Sequence, residues 1–167
     1  SISTENSVVI SGVISNGGFT KTGSATLTIA GNNTNTYTGL TTINDGELVL
    51  QKPDGIKATD DLTVNSATVT IFGGRDNQWG TTSPPFIQLF GSLLDINSTQ
   101  QRLALAGDAS ASITLGSGTI TIEGTGNDTF AGVISGTGGF VKEGSGTEIL
   151  TGSNSYTGTT TISEGIL

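Results

Sequence analysis

Carboxylates dominate the ionisable chemistry of this chain. Against 14 Asp and Glu stand 6 Lys and Arg, with no His and no Cys, so thiol nucleophiles, disulfides and imidazole-ligated metals are excluded. Asp60–Asp61 is the single adjacent carboxylate pair, and two carboxyl groups flanking a bond are what glycoside hydrolysis requires. Neighbours on a strand point to opposite faces, so the two acids diverge unless a turn gathers them. A solvated corner after Ala58–Thr59 is the simpler reading.

Other residues invite binding. Asn127–Asp128, Asp45 with Glu47, and Asp108 carry the hard oxygens that Ca²⁺ takes. The glycine-rich nonapeptide with which some β-solenoids bind Ca²⁺ does not occur, because the Asp residues come singly and at no fixed period. Capping of turns is their expected role, and no metal or cofactor is expected. Thr-x-Thr occurs at Thr26/Thr28, Thr68/Thr70 and Thr119/Thr121, the motif of ice-binding solenoids, but separations of 42 and 51 residues favour ordinary outward β-branched positions. Trp79 lies in the stretch 73–86, which holds the only Trp and two of the three Pro. With Arg75 and Asp76 beside it, this Trp is either a sugar-stacking platform or an anchor for the loop. The stretch fits no strand and is expected to project.

The elements that must position these residues are short strands. Period-2 alternation recurs at 26–29, 47–50, 62–64, 68–71, 103–105, 112–115 and 119–122, each reading as a half-buried strand. Alternation sends Leu27, Ile29, Leu48, Leu50, Val69, Ile71, Ile113, Leu115, Ile120 and Ile122 inward, with Thr mostly outward. Gly, Asn and Asp fill the breaks, as tight corners require. Asn44–Asp45–Gly46 alone would suit a hairpin, so an antiparallel meander is an alternative. Uniform short strands with a turn after each one favour a coiled solenoid, and almost no helix is expected.

A long repeat supports the solenoid. Gly12–Val13–Ile14–Ser15, Gly17–Gly18–Phe19, Lys21, Gly23–Ser24, Tyr37–Thr38–Gly39, Thr41–Thr42–Ile43, Gly46 and Leu48 return in order as Gly132–Val133–Ile134–Ser135, Gly138–Gly139–Phe140, Lys142, Gly144–Ser145, Tyr156–Thr157–Gly158, Thr160–Thr161–Ile162, Gly165 and Leu167. Length changes fall only at turn-like positions, which is how stacked units vary. The chain reads as one solenoid segment over 1–167, a slice of something longer, with copies at about 10–50 and 130–167. Recurring Lys21/Lys142 are expected to be solvated or to cap a turn carbonyl. Phe19/Phe140 and Tyr37/Tyr156 are expected to pack the ends of rungs. An interrupted final unit would favour weak end-to-end self-association.

The string from Gly17 through Leu48, and again from Gly138 to Leu167, resembles the autotransporter-associated β-strand repeat of bacterial passenger domains and giant surface proteins. The resemblance implies a right-handed parallel β-helix outside a Gram-negative cell, acting as an adhesin stalk or presenting surface, anchored through a barrel not present here or secreted. No catalytic residues accompany the repeat. Lack of Cys agrees with passage across the outer membrane unfolded.

Composition narrows the partners. A net charge of −8 with scattered basic residues offers no patch for phosphates and disfavours nucleic acid. No apolar run approaches the ~20 residues of a membrane-spanning helix, and membrane insertion is not expected. Host or bacterial surface glycans or proteins are the expected partners of a non-enzymatic segment. The alternative is a carbohydrate-active β-helix enzyme or glycan-binding module.

The two copies disagree chemically at one place. Ungapped alignment from Lys21 and Lys142 sets Glu148 against inward Leu27. The acid must then become neutral, reach water, or slip the strand so that Ile149 turns in.

Overall fold

The computed structural model describes residues 1–79 and 84–167. Among them the chain is all strand and turn, without helix. One face is laid down by β1 (Ile2–Ser3), β3 (Thr20–Thr22), β5 (Thr41–Ile43), β7 (Leu62–Asn65), β9 (Phe86–Phe90), β11 (Gln100–Gly107), β13 (Thr119–Ile122), β16 (Gly139–Lys142) and β18 (Thr160–Ile162). The other runs through β2 (Val8–Ile10), β4 (Thr26–Ile29), β6 (Glu47–Leu50), β8 (Thr68–Ile71), β10 (Leu93–Asp95), β12 (Ser112–Thr114) and β15 (Val133–Ser135). Up to β13 odd strands pair with odd and even with even, and beyond it β13 pairs with β16 and β12 with β15, all in parallel. A strand that pairs with the one a full turn later is a rung of a solenoid, and the structure is a parallel β-solenoid of about eight turns.

Register explains the core. Val8, Leu27, Leu48, Val69, Leu94, Ile113 and Ile134 align rung on rung, and Leu27 through Ile134 are buried. Every residue sent inward by alternation lies in one buried apolar cluster. A one-residue slip would put this whole column in water, so the pattern fixes the register. Thr28, Val49, Thr70, Asp95, Thr114 and Ser135 form the outward column beside it.

Gly46 shows why the corners are glycine. It has φ 68°, and a Cβ there would lie 2.7 Å from the carbonyl oxygens of Ala25 and Gly23 in the rung below. Its counterpart Gly165 has φ 75°.

The stack parts at β11. Its first half, from Gln100 to Leu103, pairs with β13, whereas Ala104 to Gly107 pair with β9. Gly107 also meets Phe130 of β14 (Asn127–Phe130), which carries β17 (Thr147–Leu150) on its far side. β11 runs straight where the next turn bends at 123–126, so that bend stands out over the outer side of β11.

The stretch 73–86 does not simply project. Residues 80–83 lie outside the described residues, but Arg75 to Trp79 are woven into the stack. Ala58 N donates to Gln78 O at 2.6 Å, Asn77 N to Gln100 O at 2.9 Å and Gly55 N to Asp76 O at 3.1 Å. Phe86 already opens β9. Alternation misses this integration because the polar side chains do the pairing: Gln78 exchanges two hydrogen bonds, each of 2.8 Å, with the backbone of Lys52.

Candidate acidic hollow

The recurring residues hold rungs together. Lys21 is an inward residue of β3, stacked between Ile2 and Ile43. Its Nζ donates at 2.8 Å to the carbonyls of Gly23 and Asp45. Lys142 Nζ does the same to Gly144. Both lysines are buried, so the capping alternative holds and the solvated one does not. Burial lowers the Lys21 pKa, opposed by Asp45 and Glu47. Lys52, which the repeat did not single out, is also buried and donates to Ala30 O and Asn33 O at 2.8 and 2.7 Å. Burial lowers its pKa as well.

Phe19 packs on Tyr37 with ring centroids 5.8 Å apart, and Phe140 on Tyr156 at 6.1 Å. Each Tyr hydroxyl lies 2.8 Å from the Thr four residues on, Thr41 or Thr160. Placing the gap after Gly31 also aligns Asn35 with Asn154, a match that sequence reasoning passed over. Asn35 Oδ1 accepts from Ile14 N and Asn154 Oδ1 from Ile134 N, both at 2.9 Å. Asn35 Nδ2 further donates to Ala58 O at 2.6 Å, so one side chain ties three rungs.

The candidate binding residues of 73–86 are placed as follows. Trp79 is 2% exposed and belongs to the apolar core, so it presents no ring face to solvent. Arg75 O accepts from Gln101 Nε2 at 3.0 Å, and Asp76 Oδ1 from Gln100 N at 2.7 Å. The structure thus uses Arg75 and Asp76 in joining turns, on the half-buried outer side of the stack.

Asp60 and Asp61 lie in the bend before β7, and the bend does not gather them on one partner. Asp60 pairs with Lys57 at 2.9 Å, whereas Asp61 accepts from Phe86 N at 2.8 Å. Asp108 Oδ1 accepts from Gly91 N and Ser110 N, and Asp45 Oδ1 from Gly46 N. Glu47 links Thr26 and Thr70 across three rungs at 3.1 and 2.7 Å. Thr26/Thr28 and Thr68/Thr70 therefore share a face two rungs apart, while Thr119/Thr121 stand on the other sheet. The 42 residues between the first two motifs are two turns of the solenoid, which sequence spacing alone did not convey.

Asn127–Asp128 is strand, not turn, and here the molecule opens. Beneath the bend at 123–126 lies a hollow of about 490 Å³, lined by Pro84, Phe86, Ala104, Glu123, Gly124, Thr125, Gly126 and Asp128. Phe86 and Ala104 are register partners on the outer side of β9 and β11 and supply an apolar wall. Glu123 is held by Arg102, which also meets Glu143 at 2.9 Å. The Asp128 carboxylate folds back under the bend, 3.4 Å from where side chains would begin on Gly124 and Gly126. It has no hydrogen-bond donor among the described residues.

Glu148 is the register partner of Asp128 in the next rung. It is 1% exposed, its Oε1 has no partner, and Ile149 stays out at 48%. The strand has not slipped. Burial, helped by the Asp128 charge and opposed by Lys142, pushes the Glu148 pKa up to about 8. Of the three resolutions open to this acid, the molecule adopts neutrality.

Comparison with protein families adds one finding. A family model described as the passenger-associated-transport-repeat matches residues 19–50 and 140–167. Those two regions are similar to that repeat. No curated protein and no solved structure matches it. The repeats contain both lysine caps, both aromatic pairs and both rung-tying asparagines, whereas every residue lining the hollow lies between the two matched regions. Glu148, inside the second matched region, is the register partner of the lining residue Asp128. The repeat and the solenoid together fit a segment of an autotransporter passenger.

Proposed function

We propose that this segment is a non-catalytic, extracellular stalk and adhesion surface of an autotransporter-type surface protein. One observation carries the reading: polar side chains of the repeats serve the stack itself, with Asn35 and Asn154 joining rung to rung in both copies, Lys21 and Tyr37 doing so in the first, and Lys142 and Tyr156 bonded within their own rung. Residues reused in every unit for pairing give length and rigidity, because each rung is stabilised by its neighbours. The divided carboxylates of Asp60 and Asp61 speak against the hydrolase alternative, which needs two carboxyl groups facing one bond. The repeat family's association with passengers supports a cell-surface or secreted location.

The test pairs two assays on the same preparation. Labelled protein is offered to host cells, bacterial cells and immobilised surface glycans, and unlabelled protein is incubated with polysaccharides while reducing ends are counted. Saturable binding without new reducing ends is expected. Polysaccharide cleavage that disappears in Asp60→Ala or Asp61→Ala would replace the adhesive reading with the enzymatic one.

A further inference from the structure

The hollow under the bend at 123–126 has an apolar wall and an acidic end. Phe86, Pro84 and Ala104 form the wall, and Asp128 with Glu123 form the end. Glu123 already has a guanidinium partner in Arg102, and that pair shows how an arginine sits against this bend. Asp128 has none, although it is half-buried and faces into the hollow. Stacked on it is Glu148, buried with Oε1 unpaired. A carboxylate with no partner among the described residues, beside a half-buried aromatic ring, is matched by a long basic side chain, whose methylene stem covers apolar surface while its head meets the acid. The guanidinium also gains from the face of an aromatic ring and from bidentate pairing with a carboxylate. The net charge of −8 draws such partners in.

We propose that this hollow is a binding site for an arginine or lysine side chain of a partner polypeptide, with Asp128 as the anchoring carboxylate and Phe86 and Ala104 as the stem's wall. The proposal gives the adhesive reading one specific contact, yet the two fail separately, since the site is tested below without cells.

The probe is Nα-acetyl-arginine amide, titrated into the ¹⁵N-labelled chain and followed by amide shifts. Its neutral isostere Nα-acetyl-citrulline amide and a neutral disaccharide are run in parallel. Saturable shifts confined to Phe86, Ala104, Gly124, Gly126 and Asp128 are expected with the arginine probe alone. They should weaken strongly when salt shortens the screening length to roughly 3 Å at 1 M. Asp128→Asn, checked for an unchanged circular dichroism spectrum, should weaken binding about tenfold or more. Equal shifts with citrulline, shifts with the disaccharide instead, or no localised shift at millimolar probe would each overturn the proposal. The wild-type titration decides even if Asp128→Asn fails to fold. A second reading comes from the buried neighbour: a cation bound at Asp128 offsets the charge that disfavours ionised Glu148, so saturating probe should lower the pH at which the Glu148 side chain titrates.

Discussion

Glu148 makes a stability prediction whose sign and size follow from its surroundings. In the folded chain its carboxyl is held neutral, with a pKa of about 8 against the usual 4.5. Between these values the folded state keeps a proton that the unfolded chain releases. Stability therefore falls as pH rises from about 4.5 to about 8 and is flat for this group outside that window. At ~1.36 kcal/mol per pH unit, the loss at pH 7 is about 3 kcal/mol, and at pH 5 less than about 1 kcal/mol. Acidifying from pH 7 to 5 should thus stabilise the protein by about 2 kcal/mol through Glu148 alone. Urea unfolding of wild type and Glu148→Gln at several pH values isolates the effect, since the amide cannot ionise. The difference between the two should grow with pH up to about 8. Glu148→Leu, which restores the residue found at Leu27, should stabilise at pH 7 by at least the ~1–2 kcal/mol of burying a leucine. Parallel pH profiles for wild type and Glu148→Gln, or a destabilised Glu148→Leu, would refute the inward neutral acid.

Three further outcomes test the framework. Lys21→Met keeps the volume of the inward side chain but strands the carbonyls of Gly23 and Asp45; a loss of about 1–3 kcal/mol in urea unfolding is expected, and an unchanged midpoint would mean that water reaches this corner. Asn35→Ala should cost more than Asn154→Ala, about 2 against about 1 kcal/mol, because Asn35 is buried and joins three rungs whereas Asn154 is half-buried and joins two. The turn acids Asp45 and Asp108 already serve backbone amides and the strand acid Glu47 serves hydroxyls, so EDTA should leave the melting temperature unchanged, and a rise of several degrees on adding Ca²⁺ would overturn that assignment.

Strand positions were legible wherever aliphatic and hydroxyl residues alternate. The stretches 26–29, 47–50, 68–71 and 119–122 coincide with β4, β6, β8 and β13. β3, β5 and β16 were not read as strands, since Lys21, Thr41 and Lys142 stand at inward places where the pattern wants aliphatics. The burial of Lys21 and Thr41 depends on a carbonyl and a hydroxyl brought from about twenty residues away, which no local window contains. The hollow was illegible for the same reason. Asn127–Asp128 has the composition of a turn, and only pairing with 147–148 makes it strand. Glu148 was found because the repeat supplies its own control: the same place in the first copy is Leu27.

That internal control bears on how an energetically poor residue persists. In a globular core a buried carboxyl with an unpaired oxygen weakens the whole fold. In a solenoid each rung meets only its neighbours, so the cost is confined to the contacts among β14, β17 and the turn above, while the Leu27 to Ile134 column is untouched. Glu148 stands where the first copy has Leu27, and Asp128, one rung earlier, stands where the first copy pairs Val8 with Leu27. The departure thus spans two successive rungs at the place where β11 parts the stack and a hollow forms. A stack whose two copies are tied rung to rung by Asn35 and Asn154 tolerates such a departure, which begins between the repeats at Asp128 and reaches into the second copy at Glu148.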